Sequence, residues 1–217
     1  MPFETHEKNG VVWLTASNLN GVRHGFSTRP GGVSPAPWDS LNLRPGMGDG
    51  REAMLENYRR FCAVLGADVE RTVLSRQVHE TNVTYVNGEE VERTVLSRQV
   101  HETNVRPCTE GDAGKGLFRE RDYDSADALV TDVPGLTLFV FSADCGTVLL
   151  RDPDTGAVGA AHAGWRGCAG GIVEKTVREM ARLYGSRPGR LRAALGPCIG
   201  QCCFECDGDV PAAMEEA

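Results

Sequence analysis

Hydrophobic and polar positions switch between two periods along this chain, and each switch marks an element. After residue 50, Met54, Leu55, Tyr58, Cys62 and Leu65 recur at helical spacing, and Gly66 closes the segment. Asp49, with Glu52 following, reads as the cap pair that starts this helix. A second stripe, Ile172, Val173, Val177, Met180 and Leu183, ends at Gly185. Residues 69–74, their copy at 91–96, and 136–141 are short β-rich runs that read as strands, the last of them buried. Residues 147–151 and 157–161 flank Asp152-Pro153-Asp154-Thr155-Gly156, whose turn residues predict a hairpin. These signals predict an α/β (α+β) fold, with mixed β-sheets covered by helices. Residues 106–125 are polar, contain glycine, and read as a long mobile loop near a site.

The chain also repeats itself. Residues 69–83 read VERTVLSRQVHETNV, and residues 91–105 read the same fifteen letters at an offset of 22. Two identical copies are too few for a repeat array, and one strand position cannot hold two segments. The expectation is that one copy pairs in a sheet while the other forms an extra hairpin or loop. Asn87-Gly88 in the linker between them is a hairpin turn signal. No interdomain linker is visible, so residues 1–217 read as one domain carrying this duplication.

Composition narrows the function. The formal charge is −7, from 23 Lys plus Arg against 30 Asp plus Glu, and no basic field exists to displace counterions from a nucleic acid. No apolar run is long enough to span a bilayer. The first ten residues lack a basic start and an apolar stretch, so no secretory signal is expected and the cytoplasm is the expected compartment. Eight cysteines then read as free thiols or metal ligands rather than a disulfide framework. Five histidines are too few for a trinuclear copper cluster. Oligomeric state is not legible.

Candidate chemistry concentrates in three segments. SRQVHE occurs twice and carries His79 or His101; SADCGTVLL carries Asp144 and Cys145; AHAGWRG carries His162, Gly164, Trp165 and Arg166. A histidine, a cysteine and a second histidine at the ends of different strands would supply three ligands suited to zinc, with a fourth position open to water. Asp144 is placed to orient such a ligand. The glycine turn before a helix offers backbone N–H groups to an anion, and Arg166 adds a planar fork for phosphate or carboxylate. Taken singly, a histidine near a strand end is usually structural, and a lone cysteine is usually a buried small side chain. Cys198, Cys202, Cys203 and Cys206 could form a second zinc site, but a thiol-rich turn is the simpler reading. The run 119–122 reads as a solvated face.

Taken together, the segments resemble one family. AHAGWRG, the Asp144-Cys145 turn, ADALVTD at 126–132, GPCIGQCC at 196–203, HGFSTRPGGVS at 24–34 and DSLNL at 39–43 resemble the YfiH/laccase-domain family. That family is also called multi-copper polyphenol oxidase or peptidoglycan editing factor, and it includes purine nucleoside phosphorylases. The resemblance implies a YfiH-like, cysteine-hydrolase-type sandwich that is C-terminally short here, because relatives continue for several tens of residues. It implies a metal site of His101 or His79 with Cys145 and His162, holding Zn2+ or Cu2+. His101 is favoured, because its strand leads toward Cys145. It implies phosphorolysis of adenosine, inosine and methylthioadenosine, with deamination of adenosine. Cys145, His162 and Arg166 would be catalytic, and Arg29, Asn42, Gly164 and Arg166 would meet nucleoside or phosphate. The family usually has Pro where this chain has Thr147, two residues after Cys145. A second reading uses the same residues differently. Cys145 would be the nucleophile of a hydrolase acting on amide bonds in cell-wall precursors, activated by His162 or the QVH histidine. A third reading is an inactive metal-binding remnant.

Overall fold

The computed structural model describes residues 3–75 and 103–217. The chain opens on an antiparallel sheet of β1 (Phe3–Lys8), β2 (Val11–Ala16) and β3 (Phe26–Ser27), paired in that order. Next comes α1 (Arg51–Leu65), which buries Met54, Leu55, Tyr58, Phe61 and Cys62. Gly66 ends it in the left-handed region at φ 67°, and the Ala67 N–H returns to the Cys62 carbonyl at 2.8 Å. Asp49 does not cap this helix. The N-cap is Gly50, and the Asp49 carboxylate accepts instead from Ser34 Oγ at 2.6 Å and Asn42 Nδ2 at 2.8 Å. Tertiary bonds to the preceding loop have taken the group that local spacing assigned to the helix.

After α1 come β4 (Thr72–Leu74), β5 (Val105–Pro107), β6 (Ala128–Thr131), β7 (Thr137–Phe139), β8 (Gly146–Arg151) and β9 (Val158–Ala163). Two helices, α2 (Trp165–Ala169) and α3 (Ile172–Tyr184), then lead to β10 (Arg192–Leu195) and α4 (Asp209–Glu215). The main sheet has the order β10-β8-β9-β6-β5, antiparallel except for the parallel β6-β5 pair, and β4 and β7 form a separate parallel pair. The fold is thus mixed α/β, as expected. The 152–156 turn forms as read, with the Gly156 N–H on the Asp152 carbonyl at 3.0 Å.

Helix α3 covers the main sheet with Ile172, Thr176 and Met180, spaced four apart along one face. Leu183, expected in that stripe, is instead 37% exposed. Thr176 takes a core position because its hydroxyl bonds back to the Ile172 carbonyl at 2.7 Å, which satisfies the one group that would resist burial. Among the described residues no helix is long and apolar enough to cross a membrane.

The loop between β3 and α1 is pinned from within. Asn57 is fully buried; its Oδ1 accepts from the Val33 N–H at 2.8 Å, and its Nδ2 donates to Ser34 Oγ, the Ser40 carbonyl and the Asn42 carbonyl at 2.8, 3.2 and 2.9 Å. The two glycines of TRPGG serve close approach rather than anion binding. A Cβ on Gly31 would lie 2.4 Å from Val11 Cα, and one on Gly32 would lie 1.9 Å from the Ser40 carbonyl oxygen.

The two identical copies both enter the framework. Residues 69–75 of the first copy supply a 3-10 turn (Val69–Arg71), strand β4 and Ser75. The expected strand over 69–74 is therefore only half extended, because the Asp68 carboxylate caps the turn at the Glu70 N–H (2.9 Å). The last residue of the second copy, Val105, opens β5. Flanks explain the division: Asp68 lies next to the first copy alone, while Arg106 and Pro107, which complete β5, follow the second copy alone. The Asn87-Gly88 turn, the expected strand at 91–96, His79 and His101 lie outside the described residues.

Residues 106–125 are not a free loop. They form a strap closed by a buried charge cluster, which polar composition alone does not distinguish from a solvated segment. The Asp112 carboxylate, 5% exposed, accepts from Lys115 Nζ at 2.7 Å, Arg106 at 2.8 Å and the Thr109 N–H at 2.7 Å. Lys115 Nζ also donates to Asp122 at 2.7 Å, so the 119–122 run is solvated only in part. Burial alone would raise the Asp112 pKa, but the bonds from Lys115, Thr109 and Arg106 outweigh it and hold it well below the usual carboxylate range. A folded pKa below the unfolded one stabilises the fold above the ordinary carboxylate range, and that stability is lost as pH falls through the folded value. Asp112→Asn is therefore expected to cost about 3 kcal/mol near neutral pH. The gap to wild type in urea unfolding should close as the solution is acidified toward the depressed folded pKa. A gap that is absent at neutral pH, or constant with pH, would contradict this account.

Candidate active site

Strands β8 and β9 are joined by the 152–156 turn, and the site lies at their other end. Their register pairs Thr147 with His162 and Gly146 with Ala163. Cys145 sits in the bend just before β8, two positions from Thr147, which places it at the His162 end of the strand pair. This placement brings the two chemical side chains together. The Cys145 thiol is close enough to the His162 imidazole to help raise its pKa. His162 is 5% exposed, and Cys145 is half-buried.

The rim holding Cys145 is tied down on both sides. Ser142 Oγ donates to the Cys145 carbonyl, the Ile199 N–H to the Asp144 carbonyl at 2.8 Å, and the Gly196 N–H to the Thr147 carbonyl at 2.8 Å. GPCIGQCC therefore acts first as a brace on the cysteine turn. Its thiols are exposed, with Cys202 and Cys203 sulfurs 3.2 Å apart.

A carboxylate stands behind the imidazole, and it is not Asp144. Asp144 is exposed, in the bend that leads into β8. Asp127, from ADALVTD, is 2% exposed; its Oδ1 lies 3.5 Å from His162 Nδ1, and its carbonyl accepts the His162 N–H at 2.8 Å. The available sequence signal was an acidic residue set among apolar strand positions. Burial alone would lower the His162 pKa, but its interactions with Asp127 and Cys145 outweigh this and hold it up at about 9.

A thiol and an imidazole at one rim form a donor pair of the kind zinc takes, and a carboxylate behind the imidazole is the usual support for a ligating histidine. The described donors therefore fit such an ion. Among the described residues no group of three His, Cys, Asp or Glu side chains can hold a metal, and this includes the Cys198–Cys206 thiols. The third expected donor, His79 or His101, lies outside the described residues.

The remaining candidates divide into two places. Gly164 is buried as the N-cap of α2, and Arg166 is exposed with its guanidinium 3.9 Å above the Trp165 ring. Helix α2 has only five residues, so the expected anion pole at its start is weak. Arg29 and Asn42 instead line a cavity of about 1200 Å³ whose wall also includes Asp144, Thr147, Phe139 and Leu149. The cavity reaches the residues flanking Cys145, but Cys145, His162, Gly164 and Arg166 are not in its wall. Arg29 is exposed and holds the Asp39 carbonyl at 3.0 and 3.2 Å. The Asn42 side chain bridges Asp49 and the Arg44 N–H, which makes it a brace within the loop.

The chain is similar to known proteins in sequence and in fold. The family model described as multi-copper polyphenol oxidoreductase laccase matches residues 23–94 and again 88–217, so that each match contains one copy of the repeat. The purine nucleoside phosphorylase of Deinococcus radiodurans is 36% identical over 208 residues, covering 96% of this chain and 68% of the relative. Adenosine deaminase RL5, from an unknown prokaryotic organism, is 32% identical over 93% of this chain and 69% of its own. The chain spans about two thirds of the length of the curated relatives it matches. Among solved structures, the Bacillus licheniformis hypothetical protein YfiH superposes with a TM-score of 0.79 at 32% identity, covering 99% of this chain and 71% of that one. The chain therefore belongs to the YfiH/laccase-domain family, that of the multi-copper polyphenol oxidoreductase laccases.

Proposed function

We propose that this chain is a metal-dependent purine nucleoside phosphorylase that also deaminates adenosine, acting in the cytoplasm on small nucleosides and phosphate. The observation that carries the reading is the Cys145–His162 pair at one sheet rim, in a chain 36% identical to a purine nucleoside phosphorylase. Cys145, His162 and one QVH histidine would hold Zn2+ or Cu2+. When bound, the ion supplies Lewis acidity and brings water ionisation toward neutral pH, to roughly 7 for zinc. Arg166 would draw phosphate to the rim, its guanidinium plane set by Trp165. Gly164, the N-cap of α2, would offer its backbone to phosphate beside it. Arg29 and Asn42 would act from the cavity side, Arg29 directly and Asn42 by holding the loop.

The test is elemental analysis of the purified chain beside inosine and adenosine turnover. Stoichiometric zinc or copper, with activity lost to a chelator and restored by the metal, is the expected result. Single His79→Ala and His101→Ala variants should differ, with only one losing the metal. Full metal and turnover in both would remove the QVH histidine from the ligand set.

One observation favours a second reading. Cys145, His162 and Asp127 lie in the order of nucleophile, base and orienting acid. A hydrolase acting on cell-wall precursor amides would use them so. Activity indifferent to chelators, with an acyl group trapped on Cys145 in mass spectra, would select it over the phosphorylase.

A further inference from the structure

Asp127 is buried at a depth where an unpartnered carboxylate is costly, and among the described residues its ionisable partner is His162. The side chain reaches His162 Nδ1 at 3.5 Å, while Oδ2 has no hydrogen-bond partner among the described residues. Its main chain grips the same residue, through the Asp127 carbonyl and the His162 N–H at 2.8 Å. Its own N–H donates to the Asn104 carbonyl at 3.1 Å, which fixes the turn into β6. Position 127 therefore holds both the backbone and the ring of His162. The packing around it does not call for a carboxylate: Ala126 and Ala128 on either side are small and fully buried. An alanine there would offer the imidazole no acceptor.

We propose that Asp127 is the positioning residue of the site, accepting the proton on His162 Nδ1 and so presenting the Nε2 lone pair to the metal or to a substrate proton. An imidazole with a free choice of tautomer places its lone pair on either nitrogen, and only one of them faces the chemistry. A carboxylate at Nδ1 removes that choice and raises the basicity of the other nitrogen. The inference rests on Cys145 and His162 being the working pair, but not on which of the two chemistries they run.

The test uses the full chain and two measurements. Zinc affinity, read by competition with a chromophoric chelator, should fall about 10- to 100-fold in Asp127→Asn and recover in part in Asp127→Glu. Thermal melts should show the variants still folded at the assay temperature, because the amide keeps the shape of the carboxylate although the charge on its partner is no longer offset. Affinity unchanged in Asp127→Asn would overturn the proposal. Should the variants fail to fold, the wild-type chain still decides. Nitrogen-15 spectra of His162 in its neutral form should place the proton on Nδ1, and a proton on Nε2 overturns the assignment. A wild-type chain that takes up no zinc defeats the metal reading alone, because the tautomer is read in either case.

Discussion

Cys145→Ala is expected to reduce nucleoside turnover by about a thousandfold or more, with loss of bound metal and a melting temperature close to wild type. Cys145 is half-buried at a rim, and the turn that carries it is held by backbone bonds from Ile199 and Gly196 that the substitution leaves intact. Its effect should therefore fall on chemistry rather than on folding. His162→Ala makes an informative contrast. Removing a side chain 5% exposed leaves Asp127 as a buried carboxylate without its imidazole, so this variant should lose stability as well as activity. Steady-state phosphorolysis, elemental analysis and thermal melts of the two variants read these differences together. Wild-type turnover in Cys145→Ala would remove the thiol from both readings of the site.

Asn57→Leu is expected to be the most damaging substitution away from the site, at about 4 kcal/mol of stability. One amide serves four backbone and side-chain groups, of Val33, Ser34, Ser40 and Asn42. Leucine has similar volume and could fill the space, but it takes the partner from the Val33 N–H and the Asn42 carbonyl, while Ser34 Oγ keeps Asp49 and the Ser40 carbonyl keeps the Ser34 N–H. Each unsatisfied buried group costs roughly 1–3 kcal/mol, and part is recovered if the loop moves outward to reach solvent. That movement would carry Arg29 and Asn42 with it, so residual activity should show a raised KM. Chemical denaturation of the variant checks the stability, and a loss under about 1 kcal/mol would show that the loop is held elsewhere.

The legible parts of this fold are the local ones. Helices α1 and α3 and the β8–β9 hairpin follow from periodicity and turn chemistry within short windows. The site was legible as residues but not as a geometry. Cys145 and His162 announce themselves in their motifs, yet what joins them is a strand register, and register depends on the whole sheet. The same limit explains the misplaced carboxylate. Adjacency along the chain suggested Asp144, whereas pairing across strands delivers Asp127, 35 residues from the histidine it serves. Asp49 and the 106–125 strap failed for a related reason: an acidic side chain reads locally as a cap or as solvated surface, and only tertiary partners reveal otherwise.

The shared use of the two copies has a corollary for deletion. Because the fifteen letters are identical, removing 22 residues between any matched pair of positions yields one and the same product. That product joins Ser75 to Arg98 or, equivalently, Glu80 to Thr103, and reads VERTVLSRQVHETNVRP without a scar. Both anchoring flanks survive the event, Asp68 before it and Arg106 after it. A single-copy chain thus keeps both flanks, with a lone imidazole where the present chain carries two.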